Sequence, residues 1–392
     1  MVDYSIGVFA NSIHPNKFGS SRNIYYLSKA LEKKGCHIIV FCPDNPSNRE
    51  IDLNKIYVPE KRSHFIPSII PQSFKVAEKA REMENEFDIF HSNSCFGFPY
   101  AHRRNKPFVV HMRSISLKPL KSLNILMSND FLMALRHHEL VYQAIMGVIE
   151  RYSTKNSDLV FCNSRETSIE AENICKMKPN KIKEVYNGID TNFFLKGNGE
   201  NIRKIYGLGN KRVLLCVIRL DVVKGIDRLL SAMKIIVEKR KDIVLLLVGG
   251  GKLENDVRND IIRRGLSKSV ILTGHINDDH LADFYSSADL FVYPYSPGTT
   301  LLEAMAASKP FVLFYKSKDV PPGVPLERIS KKKIGKIIKD DSVAVFAEEI
   351  INQLDDNEWL LKQGQKGFLF VNDELSWSNI ADEVIQHYEK II

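Results

Sequence analysis

Short apolar runs that alternate with longer amphipathic ones constrain this chain more than any other feature. Residues 4–10 (YSIGVFA) form a strand candidate, followed by a loop holding His14, Pro15 and Gly19. A helix is expected over 21–34, where Ile24, Leu27, Ala30 and Leu31 fall at helical spacing; Gly35 ends it before a second strand, 37–42 (HIIVFC). Further strands are expected at 56–58, 88–91, 107–112 and 158–162, and a long amphipathic helix over 129–152. That order is the signature of βαβ units and a parallel sheet.

The pattern then breaks and restarts. Gly/Asn density over 187–211 (NGID, GNGEN, GLGN) marks a linker. Strands are expected again at 213–218, 243–248, 270–273, 289–293 and 310–314, with helices near 224–240, 252–265, 278–287 and 300–307. The chain therefore reads as α/β throughout, in two halves, 1–190 and 191–375. A trailing helix over 376–392 is expected to cross back to the first half. A length of 392 residues agrees with two cores rather than one.

The six cysteines form no CxxC pair, and Cys42, Cys162 and Cys216 lie in or beside apolar runs, as reduced core thiols do. Ligand-spaced Cys/His clusters are absent, so no metal site is expected. No run of about 20 apolar residues exists to span a membrane. The start, MVDYSIGVFANSI, lacks a basic n-region and reads as a strand; a cytoplasmic location follows as the expectation. The net charge of +8 suits phosphorylated substrates or an anionic membrane surface, and equally a Lys-rich composition. The cations are dispersed and no recognition motif accompanies them, which argues against a nucleic-acid partner.

In open α/β sheets ligands bind beyond the carboxyl ends of strands, and three motifs lie there. In VIRLDVVKGIDRLLSAM (217–233), Arg219 and Lys224 precede a helix start at Gly225; two cations beside helix N–H groups make an anion site fit for a diphosphate. In YSPGTTLLEAMAASKPFVLF (295–314), Gly298 lets backbone approach a phosphate, Thr299 or Thr300 can cap the helix, and Glu303 suits two ribose hydroxyls or a plain capping role. In LLLVGGGKLENDV (245–257), Gly249 and Gly250 end a strand, but G-x-G-x-x-G is not formed, which argues against a dinucleotide enzyme.

Taken together, these motifs resemble the retaining GT-B glycosyltransferases of family 4. The second half carries the family's order: R-x4-KG, the LLLVGGG strand, VILTGHINDDHLADFYSSADLFVYPY and TTLLEAMAASKPFV. Residues 150–194 resemble its domain junction. The resemblance implies two Rossmann-like domains with parallel sheets facing across a cleft, an N-terminal one for the acceptor and a C-terminal one for a nucleotide sugar. It implies that Arg219 and Lys224 bind the donor diphosphate, that Glu303, the second glutamate of E-x7-E, holds the ribose, and that 298–300 approach the phosphate and sugar. Gly19 falls in the glycine-rich loop that in the family nears the donor phosphate and the acceptor.

Two departures stand out. Tyr295 replaces the first motif glutamate, which in the family touches the transferred sugar; a tyrosine can hydrogen-bond a hydroxyl but carries no charge near neutral pH. After the strand PFVVHM, where the family has a histidine near the reacting sugar, Arg113 is aligned, with His111 two residues earlier on the same strand face. A buried core histidine is the other reading of His111.

Arg219 and Lys224 can stabilise the leaving diphosphate without a metal or other cofactor. No DxD motif stands out, and Asp278 and Asp279 read as helix caps. Retention is implied by the resemblance alone; no carboxylate presents itself as a nucleophile. A glycan or a lipid-linked acceptor is expected. The basic, apolar stretch 115–151, with Leu117, Lys118, Leu120 and Lys121, suits peripheral contact with the inner face of an anionic membrane, or a packed helical face. The competing functional readings are other sugar-nucleotide chemistry and a homologue that has lost catalysis and serves as a binding subunit.

Overall fold

The computed structural model describes residues 3–15, 19–43, 52–58, 69–113, 139–221, 225–315, 324–340 and 342–392. The chain forms two units: Met1–Gly188 with Trp377–Ile392, and Ile189–Ser376.

Unit 1 is built on a seven-stranded parallel sheet in the order β3-β2-β1-β4-β5-β6-β7. Its strands are β1 (Ser5–Phe9), β2 (His37–Cys42), β3 (Lys55–Tyr57), β4 (Ile89–Asn93), β5 (Phe108–Met112), β6 (Leu159–Cys162) and β7 (Ile182–Glu184). The central strands β4, β5 and β6 are buried along their whole length, as both-face covering of a parallel sheet requires. Helices α1 (Ser20–Lys33), α2 (Ile69–Glu82), α3 (Glu139–Lys155) and α4 (Arg165–Asn173) make the crossovers. One core joins Phe9, Phe41, Phe90, Tyr100 and Phe108 to Val76, Ala77 and Ala80 of α2.

Unit 2 holds a six-stranded parallel sheet in the order β10-β9-β8-β11-β12-β13. Its strands are β8 (Arg212–Val217), β9 (Ile243–Val248), β10 (Val270–Gly274), β11 (Leu290–Tyr293), β12 (Phe311–Phe314) and β13 (Lys336–Ile338). Around it run α5 (Thr191–Leu195), α6 (Gly199–Ile205), α7 (Ile226–Lys239), α8 (Glu254–Arg263), α9 (Leu281–Ser287), α10 (Thr299–Ala306), α11 (Leu326–Lys331), α12 (Val343–Asp355) and α13 (Asn357–Leu375). Both sheets are Rossmann-like. Each reverses its winding once, between β1 and β4 and between β8 and β11, and such switch points are where α/β sheets receive ligands.

Helix α14 (Trp377–Tyr388) belongs to unit 1, where it packs on α1. Tyr26 stacks on Trp377 at 5.9 Å, and Lys34 pairs with Asp382 at 2.6 Å.

One local expectation is corrected. The Gly/Asn-rich stretch is not a free linker but holds α5 and α6. Asp190 and Asn198 accept from the backbone of Phe193 and Asn201 and so cap these helices. A Cβ at Gly197 would lie 2.1 Å from the Ala282 carbonyl oxygen, so that glycine serves close backbone packing. Helix α2 holds Pro71 in its first turn, where the missing N–H costs no helix bond. The first part of the long helix expected over 129–152 lies outside the described residues, while the remainder is α3. All six cysteines are buried and free.

Candidate functional site

The switch point of unit 2 gathers most of the motif residues. Arg219 follows β8 by two residues, and its side chain is 73% exposed. Its Nε donates to the Asp221 carboxylate. Lys224 lies outside the described residues. Gly225, in the left-handed region at φ +70, is the N-cap of α7. A Cβ there would come within 2.8 Å of the Pro294 carbonyl oxygen, the same atom to which Arg228 Nη1 donates at 2.8 Å. The loop after β8 is thereby fastened to the loop after β11.

The glycines at the end of β9 lie beneath the Arg219 loop. A Cβ on Gly249, at φ +142, would sit 1.9 Å from the Ile218 carbonyl oxygen, and one on Gly251 2.5 Å from that of Leu220. Leu220 N donates to the Gly250 carbonyl at 3.0 Å. These glycines let two strand ends touch backbone to backbone, which accounts for them without a ligand.

Beyond β11, Tyr295 is half-buried and Ser296 is buried with its hydroxyl unpartnered among the described residues. The N-cap of α10 is Gly298, not a threonine. Thr299 and Thr300 are already helical, so the first turn carries no side-chain cap. The space where a Cβ on Gly298 would stand is open for 4 Å. Glu303 is the fifth residue of α10, just past its first turn, and 5% exposed. Its Oε2 accepts from the Tyr285 hydroxyl at 2.9 Å, and the same hydroxyl lies 3.0 Å from the Thr300 carbonyl oxygen. Sequence reasoning missed Tyr285, because no spacing rule joins it to a carboxylate 18 residues on. Asp278 and Asp279 open a short 3-10 turn, Asp278–His280, whose N-cap is Asn277.

In unit 1, His111 and Arg113 mark the end of β5. His111 is 1% exposed, lies edge-on to Phe161 at 5.7 Å and is 5.4 Å from the ring of His91. Burial, with Arg113 and then His91 nearby, pushes its pKa well below the usual range. His91 is lowered to about 3, by burial first and then by Arg113. Arg113 donates from Nη1 to the Asn187 side-chain oxygen. Its Nε and Nη2 are sealed from solvent and unpartnered among the described residues, and burial brings its pKa down to about 9. An orphaned buried donor of this kind costs about 1–3 kcal/mol unless a ligand atom accepts from it. Gly19, at φ +78, is the N-cap of α1, with open space where a Cβ would point.

Two family models match: Glycosyltransferase Family 4 over residues 19–193 and Glycosyl transferases group 1 over residues 198–386. The chain belongs to the group 1, family 4 type of glycosyltransferases. It is 30% identical over 253 residues to an uncharacterized glycosyltransferase, MJ1607, of Methanocaldococcus jannaschii, covering 62% of each. It is 27% identical over 206 residues to the GDP-mannose-dependent alpha-(1-6)-phosphatidylinositol monomannoside mannosyltransferase of Mycobacterium tuberculosis, covering 50% of this chain and 52% of that one. The matched part thus spans 62% and 52% of those relatives' own lengths. Among solved structures, Anabaena Alr3699/HepE in complex with UDP and glucose is similar with a TM-score of 0.73 at 16% identity, covering 98% of this chain and 99% of that one. The sucrose-phosphate synthase of Thermosynechococcus elongatus gives 0.72 at 20%, covering 99% and 98%. These two likenesses bear on the fold, which is the GT-B arrangement of two Rossmann-like domains.

Proposed function

We propose that the protein transfers a hexose from a nucleotide sugar to an acceptor hydroxyl with retention at the anomeric carbon. The observation that carries this is the unit 2 switch point, where an exposed guanidinium follows one of two adjacent strands, and an uncapped helix start and a buried carboxylate follow the other. A diphosphate takes cations and free N–H groups, and a ribose takes a fixed acceptor.

In the step proposed, the bond from the anomeric carbon to the diphosphate oxygen breaks and the acceptor oxygen bonds to that carbon on the same face. The acceptor proton passes to the departing phosphate. Arg219 and Lys224 meet the charge that develops on the leaving group, so the chemistry calls for no metal. Glu303 holds the ribose, residues 298–300 and Gly19 lie against phosphate and sugar, and Tyr295 hydrogen-bonds a sugar hydroxyl. His111 and Arg113 are assigned to the reacting groups on the acceptor side, His111 as a neutral imidazole.

A lipid-linked acceptor is favoured by one surface. On α3, Tyr142, Ile145, Val148 and Tyr152 are exposed beside exposed Arg151 and Lys155, and Glu150 is turned inward. Apolar and aromatic groups beside cations suit an anionic headgroup layer. The stretch 114–138 that precedes α3 lies outside the described residues, as do Leu117, Lys118, Leu120 and Lys121. No helix among the described residues is long and apolar enough to cross a membrane.

Titration with UDP, GDP and ADP, followed by product analysis of the matching sugar donors with glycan and lipid acceptors, tests the proposal. Binding of one nucleoside diphosphate with sugar transfer is expected. Absence of binding to all three would remove it, and binding without transfer to any acceptor would favour the non-catalytic subunit that Tyr295 raises.

A further inference from the structure

We infer that Tyr285 is the positioning residue for Glu303, and through it sets how strongly the protein prefers a nucleotide that carries ribose hydroxyls. The inference rests on the ribose role given to Glu303 above.

A glutamate reaches its carboxylate through a flexible side chain, and recognition of two vicinal hydroxyls needs that carboxylate held in one orientation before the ligand arrives. Tyr285 supplies the hold. Its hydroxyl faces Glu303 Oε2 at 2.9 Å and the Thr300 carbonyl oxygen at 3.0 Å. Both acceptors lie on α10, three residues apart, so the carboxylate is tied to the first turn of its own helix through a group on α9.

The donor cannot swing away. Tyr285 is fully buried, Phe194 of α5 meets its ring edge-on at 5.5 Å, and Phe291 of β11 lies 5.9 Å off on the sheet side. Burial and the neighbouring Glu303 raise its pKa well above the usual range, so the phenol remains a proton donor at any physiological pH. Phe194 of α5 and Phe291 of β11 thus fix where that hydroxyl stands.

The test uses the full chain, calorimetric binding of whichever of UDP, GDP or ADP binds, and the 2′,3′-dideoxy form of the same nucleotide. The wild type is expected to prefer the ribonucleotide. Tyr285→Phe is expected to weaken ribonucleotide binding by roughly tenfold and to leave the dideoxy form within about twofold. Equal weakening of both nucleotides would make Tyr285 a packing residue and overturn the inference, as would unchanged ribonucleotide affinity. A wild type that binds both forms equally would instead remove the ribose role of Glu303, and this inference with it, while Arg219→Ala would still report separately on the diphosphate. If Tyr285→Phe folds poorly, the double variant Tyr285→Phe/Glu303→Gln decides. Affinity equal to that of Glu303→Gln alone supports positioning through Glu303, and a further additive loss overturns it.

Discussion

His91 Nδ1 lies 2.5 Å from the Tyr388 hydroxyl, a buried hydrogen bond between residues 297 positions apart. It fixes α14 to the middle of the unit 1 sheet, where Phe161 also lies 6.1 Å from the Tyr388 ring. Tyr388→Phe keeps the ring and strands the imidazole nitrogen. We expect it to lower the stability of unit 1 by about 1–3 kcal/mol, read as an earlier urea midpoint, with nucleoside diphosphate affinity unaltered.

The same histidines give an acid response. His91 titrates at about 3 instead of 6.5, and His111 is also depressed. Between those limits the unfolded chain binds protons that the folded chain refuses. Stability is therefore lost as pH falls from about 6.5 towards 3, at up to about 1.4 kcal/mol per pH unit for His91, and His111 contributes with the same sign. Above the neutral range neither state is protonated and no effect is expected. Urea midpoints measured from neutral to mildly acid pH should fall for the wild type and fall less for His91→Phe; parallel profiles would contradict the assignment.

Arg219 is shared between Asp221 and the diphosphate proposed for it. Arg219→Ala should weaken nucleoside diphosphate binding by roughly tenfold or more. Asp221→Asn releases the guanidinium from an exposed pair, and binding should tighten by up to about fivefold. Calorimetry at low salt distinguishes the two signs.

Two glycines near this loop should respond oppositely. Gly249→Ala forces a Cβ against the Ile218 carbonyl at a positive φ, and should cost about 2–4 kcal/mol of stability. Gly298→Ala meets open space at φ −104. It should cost at most about 1 kcal/mol yet reduce nucleotide affinity. Melting and binding curves of the pair check this.

The outer face of α3 yields a surface test. Val148, 67% exposed, stands among the apolar residues of that face. Val148→Asp should reduce sedimentation with anionic lipid vesicles and leave nucleoside diphosphate binding unchanged. If wild type and variant sediment equally, the lipid-surface reading of α3 is lost.

Much of the architecture was legible because buried parallel strands are written as uninterrupted apolar runs, as in VLLCVI and IVLLLV, which became β8 and β9. The edge strands β7 and β13 escaped notice, since three residues with a lysine in each (Lys183, Lys336) show no run. Helix α2 was masked by Pro71, whose effect depends on which turn it occupies. At the site, Arg219 and Gly298 could be placed from strand ends alone. The depth of Glu303, the Tyr285 contact and the burial of His111 depend on how α9, α10 and β5 pack, and local spacing does not encode that. The pairing of His91 with Tyr388 is longer-range still.

The placement of α14 has a consequence for biosynthesis. Residues 189–376 leave the ribosome whole and can close their own core at once. Residues 3–188 emerge earlier but wait for Trp377 and Tyr388, which follow unit 2 in the chain, to pack on α1 and the sheet. The unit begun first is thus completed second, and a stop codon shortly before residue 377 would damage unit 1 and leave the segment just translated, unit 2, intact.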